Sequence, residues 1–548
     1  MSAVGEVREP SGRYLVDLAS PPIRHFDLLA TAALGVTRLR DLILSLAVRG
    51  RLSASEETTA SMPAGAANVP CSLPPGWQWT RLSELGEFRG GKTPSTQRSD
   101  YWDGTIPWIT PKDMKQLRLS DSQDHVTPKA LEDGLALIPA GSLLIVVRSG
   151  ILRRTVPTAI NDVQTTINQD LKALVFLNPE LAPYVQLLVR GFDDFIRQNL
   201  TKIGTTVESI QFDAFASQPF PLPPLAEQAR IVARVDELMR LCDALEEKGR
   251  LEAEQHARLL STLLGTLTDS ATPEELAANW QRVAEHFELL LDRPEAVDAL
   301  DRAILYLAVR GLLVAQDPRE APASTLTRLL RERNGQRAAP VLEGDAPFPL
   351  PGSWSWVRFD ELIDPTRPIS YGVLVPGPDV ADGVPLVRIA DLSLTDPPRL
   401  PEKRIGAAVD AQFARTRLEG DEILMGVVGS IGKLGVAPST WAGANIARAV
   451  CRIVPAEGVN REFVLLLLQS EFMQTNFAGD TRTLAQPTLN VGLIRSSPTP
   501  LPPVAEQARI VTRVTELRRL CATLRERLQA QQATQSRLAE ALVEQATA

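Results

Sequence analysis

Two segments of the chain carry apolar residues at a seven-residue spacing, which is typical of helices that pack lengthwise against another helix. The C-terminal segment contains two such rows: Ile510, Leu517, Leu524 and Leu538, and then Val514, Cys521, Leu528 and Leu542. A central segment begins the same way, with Ile231, Leu238 and Leu245 in one row and Val235 and Cys242 in the other. We predict two long helices, each with the matched helix of the same chain as its partner, in preference to a homodimer. The cysteines are then small core residues rather than reactive thiols.

These helices belong to a repeat that spans the chain. Residues 222–245 and 501–524 share 18 of 24 positions, and both copies begin with Leu-Pro-Pro-x-Ala-Glu-Gln. Three shorter pairs precede them in the same order: His25-Phe-Asp-Leu-Leu29 with His286-Phe-Glu-Leu-Leu290, Leu46-Ala-Val-Arg-Gly50 with Leu307-Ala-Val-Arg-Gly311, and Leu73-Pro-Pro-Gly-Trp-Gln-Trp79 with Leu350-Pro-Gly-Ser-Trp-Ser-Trp356. This order predicts an internal pseudo-twofold repeat.

The regions between these markers, about 80–220 and 357–500, are barely alike. Both contain a turn followed by an apolar run, at Pro139–Val147 and Leu418–Met425, which predicts a buried strand. Each also has a late helical segment, Ala182–Leu200 and Arg461–Asn476. We predict an α+β class with two irregular domains. The second half has an extra helical unit, Pro273–Leu291, ahead of its Ala-Val-Arg-Gly helix.

These signals divide the chain into seven segments. In order they are an N-terminal tail (1–20), a helical segment (21–65), the first variable domain (66–220), a central long helix (221–268), a helical connector (269–345), the second variable domain (346–500) and a C-terminal long helix (501–548).

Composition narrows the class of protein. The 548 residues carry a net charge of −8, so bulk positive charge does not hold nucleic acid, although local patches can. Four cysteines and four histidines are too scattered for a disulfide framework, a metal site or a Cys/His nucleophile. No apolar run approaches about 18 residues, and the N-terminal residues lack the basic start and apolar stretch of a secretory signal, so we expect a cytoplasmic protein without a membrane segment.

Three motifs resemble catalytic or cofactor signatures and fail on context. Gly86-Glu-Phe-Arg-Gly-Gly-Lys-Thr93 matches the phosphate-loop pattern, yet a half-polar segment precedes it and a loop follows it. Asp396-Pro-Pro-Arg399 lacks the aromatic residue of amino-methyltransferases, and the glycines at every third position from Gly426 to Gly435 lack a G-x-G pair. We expect no catalytic, cofactor or metal site in this chain.

Cations in predicted loops stand beside Gly, Thr, Asn and Gln, a mixture that suits phosphate contacts together with reading of base edges. The alternative is that such charged loops are simply solvated. The candidate DNA-binding residues are Arg89, Lys92, Thr93, Arg98, Lys112, Lys115, Arg148, Arg153, Arg154, Thr205, Tyr371, Arg388, Lys433, Asn445, Arg448 and Gln486.

The repeated Leu-Pro-Pro-x-Ala-Glu-Gln helix and the opening Gly90-Gly-Lys-Thr-Pro-Ser95…Tyr101-Trp102…Ile106-Pro-Trp-Ile-Thr-Pro-Lys-Asp-Met114 resemble type I restriction–modification specificity subunits. The resemblance covers the chain from about residue 21 to its end. It implies two target recognition domains joined by two long antiparallel coiled-coil helices. It also implies that the chain reads two half-sites of double-stranded DNA together with two modification (methyltransferase) and two restriction (translocase–nuclease) subunits. S-adenosylmethionine, ATP and magnesium then belong to those partners.

The second domain departs from this pattern, because Pro368-Ile-Ser-Tyr-Gly-Val373 replaces the Gly-Lys-Thr-Pro-Ser opening, and the central segment 246–345 is long. Two hypotheses of other classes remain beside the noncatalytic specificity subunit. One is an enzyme with a nucleotide site at Lys92. The other is a coiled-coil scaffold that binds proteins or glycans.

Overall fold

The computed structural model describes residues 5–9, 12–16, 35–52, 73–202, 204, 207–270, 272–335, 339–342, 344, 346–479 and 488–547. The chain divides into unit 1, residues 1–253 and 531–548, and unit 2, residues 254–530. Helices and short strands occur together in both units, which confirms the mixed α and β composition expected from the sequence.

The strands described in unit 1 are short. They are β1 (Gly5–Glu9), β2 (Gly12–Val16), β3 (Gln78–Arg81), β4 (Gly86–Gly90), β5 (Trp102–Ile109), β6 (Arg118–Leu119), β7 (Asp124–Val126), β8 (Leu143–Val146), β9 (Arg148–Ser149), β10 (Thr158–Asn161), β11 (Thr166–Ile167), β12 (Leu171–Phe176), β13 (Thr201–Lys202), β14 (Glu208–Ile210) and β15 (Pro219–Leu222). The helices are α1 (Gly35–Val48), α2 (Leu82–Leu85), α3 (Pro128–Glu132), α4 (Ala182–Gly191), α5 (Asp193–Asn199), α6 (Phe212–Ser217) and α7 (Leu225–Thr268).

The largest sheet of unit 1 has the strand order β4-β12-β8-β10-β6. Its centre is β8, the Leu-Leu-Ile-Val run of the predicted turn-and-strand segment, and all four of its residues are buried. Since both faces of such a strand are covered, a continuous apolar run replaces the usual alternation. Smaller sheets have the orders β11-β5-β7 and β13-β14-β9, with β11 parallel to β5.

The predicted late helix of the first domain is two helices, α4 and α5, separated at Phe192. Helix α4 crosses α1 closely, because a Cβ added at Gly191 would lie 2.6 Å from the side chain of Val48. This contact attaches the first variable domain to the repeated Ala-Val-Arg-Gly helix.

Unit 2 contains the remaining elements. Its helices are α8 (Pro273–Glu285), α9 (Phe287–Leu290), α10 (Pro294–Val309), α11 (Ala323–Asn334), α12 (Ala407–Gln412), α13 (Arg461–Gln469), α14 (Glu471–Gly479), α15 (Val491–Ser496) and α16 (Val504–Thr547). Its strands are β16 (Ser355–Arg358), β17 (Ser370–Tyr371), β18 (Val384–Val387), β19 (Arg404–Ile405), β20 (Ile423–Gly426), β21 (Leu434–Val436), β22 (Asn445–Ile446), β23 (Val450–Ile453) and β24 (Pro498–Leu501).

The sheets of unit 2 follow the strand order of unit 1 despite the divergent sequences. The order β17-β23-β20-β21 matches β4-β12-β8-β10, and β19-β18-β22 matches β7-β5-β11. In each small sheet, the strand whose chain continues into the large sheet pairs in parallel with its neighbour: β11 with β5, and β22 with β18. Strand β20 is entirely buried like β8, and the extra helical unit predicted at 273–291 is present as α8 and α9.

Each variable domain begins and ends on a two-stranded antiparallel sheet. In unit 1, β3 pairs with β15 so that Trp79 faces Pro221, and in unit 2, β16 pairs with β24 so that Trp356 faces Pro500. The Trp-x-Trp marker and the segment before the long helix are therefore hydrogen-bonded neighbours. The long helices start directly afterwards, at Leu225 and Val504, and the proline pair precedes each helix rather than lying in its first turn.

The first part of each heptad row packs within its own unit. Ile231, Val235 and Cys242 belong to the core of unit 1, whereas Ile510 and Cys521 belong to a separate core in unit 2. These two stretches belong to different cores, and the coiled coil between the two long helices stays a prediction. Their partner is the Ala-Val-Arg-Gly helix of the same repeat, because α1 and α10 contribute apolar residues to the same two cores.

Ion pairs join each long helix to its shorter neighbour. Arg40 of α1 lies 2.7 Å from both Asp243 and Glu246 of α7. In unit 2 the charges are reversed, since two arginines of the long helix contact acids of the short one: Arg518–Asp301 at 3.0 Å and Arg525–Asp298 at 2.5 Å. These partly exposed pairs are worth little individually and mainly fix the register of the two helices. In the described part of the chain, no helix is long and apolar enough to cross a membrane.

Candidate nucleic-acid interface

The Gly-Lys-Thr segment of the first domain does not form a phosphate loop. A strand, β4, occupies its first half, and the next helical element is a single 3-10 turn at Ser99–Tyr101. The Lys92 N–H donates to the Ile167 carbonyl at 3.0 Å, and the Trp108 indole donates to the Lys92 carbonyl at 3.2 Å. The backbone around Lys92 thus binds protein groups instead of curling around an anion, which argues against the nucleotide-site hypothesis.

A tight turn between β11 and β12 lies against this loop. Asn168 closes the turn, because its side-chain oxygen accepts from the Asp170 N–H at 3.0 Å and its amide donates to the Asp170 carboxylate at 3.2 Å. Gln169 at the tip is exposed, and its side-chain oxygen accepts a hydrogen bond from the Thr93 hydroxyl. Gln169 is not among the candidates predicted from the sequence, since a lone glutamine in a loop carries no spacing signal.

The candidate cations of unit 1 fall into two groups. Four of them are paired with acids: Arg89 with Glu87 at 2.9 Å, Arg98 with Asp100 at 2.7 Å, Arg148 with Asp170 at 2.9 Å and Arg153 with Glu208 at 3.5 Å. Four others are exposed and have no acidic partner within the described residues: Lys92, Lys112, Lys115 and Arg154. Only the cations of the second group can bind a phosphate without first breaking an ion pair with a carboxylate.

The Arg98 cluster is the most strongly coupled of the paired sites. Hydrogen bonds from Arg98 and then Lys129 hold the pKa of the Asp100 carboxyl far below its usual range, and Asp100 in turn raises the pKa of Arg98. The Arg98 guanidinium also stacks over the Tyr101 ring, 4.1 Å from its centroid. Because the cluster is internally satisfied, it is better suited to holding the loop than to contacting DNA.

Lys112, Lys115, Thr155 and Arg190 line a shallow groove of about 390 Å³. Arg190 is partly buried there, and this burial lowers the pKa of its guanidinium. The groove therefore brings three cations from separate parts of the sequence to one surface. Such a surface suits a phosphate backbone.

In unit 2 the candidate cations surround the corresponding end of the small sheet. Arg388 follows β18 and lies 3.6 Å from Asp391, and Lys433 donates to the Ile389 carbonyl at 2.9 Å. Arg448 follows β22 and is exposed, without an acidic partner within the described part of unit 2. Arg448 lies near the other two as well, because the Ala447 N–H beside it donates to the carbonyl of Val387, the neighbour of Arg388, at 2.9 Å.

Two candidates of unit 2 have structural roles instead. Asn445 is completely buried, donates to the Asp410 carboxylate at 2.9 Å and accepts from the Thr416 hydroxyl at 2.7 Å. Its amide is unavailable to a base edge, so the expectation that Asn445 reads DNA does not fit the structure. The Tyr371 hydroxyl is likewise engaged, because it donates to the Leu489 carbonyl at 3.1 Å. Thr205 and Gln486 lie outside the described residues.

Buried charges in unit 2 are also accounted for by the fold. Burial alone would raise the pKa of Glu422, but the backbone N–H groups of Glu419 and Gly420 that donate to it lower the pKa on balance. Burial raises the pKa of the Cys451 thiol to about 12, which removes it as a nucleophile. Among the described residues, no group of three or more His, Cys, Asp or Glu side chains could hold a metal ion.

Comparison with known proteins shows what this chain is similar to. Residues 74–255 match the family described as type I restriction modification DNA specificity domain. The chain is 26% identical to the type I restriction enzyme EcoEI specificity subunit of Escherichia coli, over 93% of this chain and 94% of that subunit. It is 27% identical to the EcoAI specificity subunit of the same organism over the same shares. The EcoR124I/EcoR124II specificity subunit is 37% identical over 31% of this chain and 43% of its own length.

Proposed function

We propose that this chain, a member of the type I restriction–modification specificity subunits, is the noncatalytic component that selects the DNA sequence on which such a complex acts. The observation that carries the proposal is the similarity to the EcoEI and EcoAI specificity subunits over 93% of the chain. The exposed, unpaired cations at the ends of both small sheets fit this role, because phosphate contacts supply most of the affinity for DNA.

Each variable domain is proposed to read one half of a bipartite double-stranded target. The matching strand orders support this division, since two domains of one architecture present the same edge to DNA with different side chains. The paired strands β3/β15 and β16/β24 support domain boundaries close to residues 66–220 and 346–500. The DNA is then contacted at two places, and the base pairs between them form a spacer.

The two long helices are proposed to join the recognition domains in antiparallel fashion and to pack as a coiled coil beyond the stretches buried in each unit. Each helix has 44 residues, or about 66 Å at 1.5 Å per residue. Helix α7 begins in unit 1 and its last residues belong to unit 2, whereas α16 begins in unit 2 and ends in unit 1. This exchange of helix ends is what an antiparallel internal repeat requires.

The partners are proposed to be two modification and two restriction subunits, in the cytoplasm. S-adenosylmethionine, ATP and magnesium would bind to those subunits. The only motif in this chain that matches a nucleotide signature, at Lys92, is unsuited to the task because its backbone groups are bonded to Ile167 and Trp108. The specificity subunit would position its partners and would not itself methylate or cleave.

The test is to express the chain with its modification subunit in a host that lacks other adenine methylation, and to map methylated adenines across the genome. We expect one bipartite motif with a fixed spacer. Purified chain alone should neither methylate nor cleave DNA, with mass spectrometry used to exclude contaminating partners. Methylation without a sequence motif, or robust activity from the single chain, would refute the proposal.

A further inference from the structure

The 168–170 turn of unit 1 has an exact structural counterpart in unit 2 that sequence comparison does not reveal. In unit 1 the Leu171 N–H donates to the Asn168 carbonyl at 3.3 Å, which closes the turn between β11 and β12. In unit 2 the Val450 N–H donates to the Ala447 carbonyl at 2.9 Å, which closes the turn between β22 and β23. Both turns therefore link the small sheet to the large one.

The loop packed against each turn is bound in the same way. The Lys92 N–H donates to the Ile167 carbonyl at 3.0 Å, and the Val373 N–H donates to the Ile446 carbonyl at 2.7 Å. A glycine precedes the donor in both cases. Added Cβ atoms at these glycines would lie 2.2 Å from Ile167 O and 1.8 Å from Ile446 O.

A third bond fixes the register of both turns against the central strand. The Val147 N–H donates to the Asp170 carbonyl at 2.8 Å, and the Val427 N–H donates to the Ala449 carbonyl at 2.8 Å. Asp170 and Ala449 are thus equivalent, as are Asn168 and Ala447. It follows that the residue between them, Gln169 in one domain and Arg448 in the other, occupies a single shared position.

The side chains at this position are exposed and held differently. Thr93 donates its hydroxyl to the Gln169 oxygen, which leaves one lone pair of that oxygen and both amide hydrogens for an external partner. Arg448 lies between two alanines, which cannot compete for its guanidinium, and it has no ion pair among the described residues. Gln169 therefore offers DNA a hydrogen-bond acceptor together with a donor, whereas Arg448 offers the parallel N–H donors of its guanidinium.

We propose that this shared position is a specificity determinant, at which Gln169 reads an adenine in one half-site and Arg448 reads a guanine in the other. The inference rests on the proposed function. In the major groove, a glutamine amide pairs with the N6 and N7 groups of adenine, and an arginine fork pairs with O6 and N7 of guanine. The rigid turn holds each side chain in place, so little conformational entropy is lost when the base is bound.

The effect expected from one bidentate contact is a preference of about 5- to 150-fold for the matching base pair at one position. We would first map the wild-type motif in the complex with the modification subunit. Binding would then be measured by fluorescence anisotropy on duplexes that carry each of the four base pairs at every position of both half-sites.

Three variants test the position directly. Gln169→Arg should move the preference at one position of one half-site from adenine to guanine, and Gln169→Ala should flatten the preference there. Arg448→Lys keeps the charge but loses the fork, so it should reduce discrimination at one position of the other half-site by more than it reduces overall affinity. Gln164→Arg is the matched control, because Gln164 is also an exposed glutamine but precedes β11, whereas Gln169 follows it.

The outcomes separate the two levels of the argument. A wild-type complex without a bipartite motif would overturn the proposed function itself. A bipartite motif whose preference at every position survives Gln169→Ala and Arg448→Lys would overturn this inference alone, whatever Gln169→Arg does. The inference also fails if Gln164→Arg changes the motif as much as Gln169→Arg, since the added charge rather than the position would then be responsible.

Discussion

Replacing Gly91 with alanine should displace the Lys92 loop from the turn that carries Gln169. The new Cβ would lie 2.1 Å from the Asn168 carbonyl oxygen and 2.2 Å from that of Ile167, whereas ordinary contacts are 3.4–4 Å. Both obstacles are backbone atoms, so no side chain can rotate away. The loop must move by more than about 1 Å, which weakens the 3.0 Å hydrogen bond from the Lys92 N–H.

The cost can be worked out from these contacts. Forcing extra volume into a well-packed site costs about 1–3 kcal/mol, and each lost hydrogen bond contributes about 0.5–1.5 kcal/mol. We expect unit 1 to lose about 2–4 kcal/mol of stability. A domain of this size melts about 2–4 °C lower for each kcal/mol, so the melting temperature of unit 1 should fall by about 4–16 °C.

Hydrogen exchange followed by mass spectrometry is the appropriate assay, because it resolves the two units. Gly91→Ala should increase exchange at the Lys92 amide and reduce affinity for one half-site only, and Gly372→Ala should do the same around Val373 for the other half-site. Gly150→Ala is the control, since its Cβ would meet nothing within 4 Å. If Gly91→Ala matched Gly150→Ala in exchange, melting and affinity, the close approach of loop and turn would be refuted.

Four further outcomes are expected. Lys92→Ala should weaken binding to all DNA sequences alike and, in a salt titration, lower the slope of log affinity against log salt by about 0.9. The ATPase rate of the full complex should be unchanged, and a collapse of ATP turnover would instead support the nucleotide-site hypothesis. Exchanging residues 357–500 for another second recognition domain should alter one half-site in methylation maps, and a change in both would show joint reading. Adding a matched heptad near Glu247 and Arg527 should lengthen each helix by about 10 Å. The preferred spacer should then grow by about three base pairs, or binding should be lost because the half-sites rotate around the duplex. An unchanged spacer would mean that the helices do not set the distance between the half-sites. In a Cys71→Ser background, Cys451 should resist alkylation at pH 8 until the chain is unfolded, because its pKa is about 12; rapid labelling of the native protein would contradict this burial.

Elements that depend on local signals were predicted well. The long helices, the extra helices α8 and α9, and the buried strands β8 and β20 follow from proline position, apolar runs and turn residues. The short helix that covers the start of each heptad row was not predicted, because a row of apolar residues shows that a helix is covered but not by what. The short Ala-Val-Arg-Gly helix carries its own apolar face and covers the first turns in each unit.

The candidate interface was predicted less completely for a similar reason. Asn445 and Gln169 both look like polar loop residues in the sequence, yet one is buried under Asp410 and the other is exposed at a turn. Exposure depends on which strands pair, and those pairs join residues more than 50 positions apart, such as Thr166 with Trp108. The equivalence of positions 169 and 448 likewise exists only in the hydrogen bonds, since the two turns share no residue.

The contact between α1 and the end of α16 has a consequence for the order in which the protein is made. Arg38 binds the Ser536 carbonyl and lies 3.6 Å from Glu540, although Arg38 and Ser536 are 498 residues apart. At about 5–20 residues per second, a ribosome needs roughly 25–100 s to travel between them. Unit 1 starts first and finishes last, so the part of α1 that contacts α16 stays uncovered while unit 2 is synthesised. Unit 1 therefore cannot be completed until residues 531–548 have been synthesised.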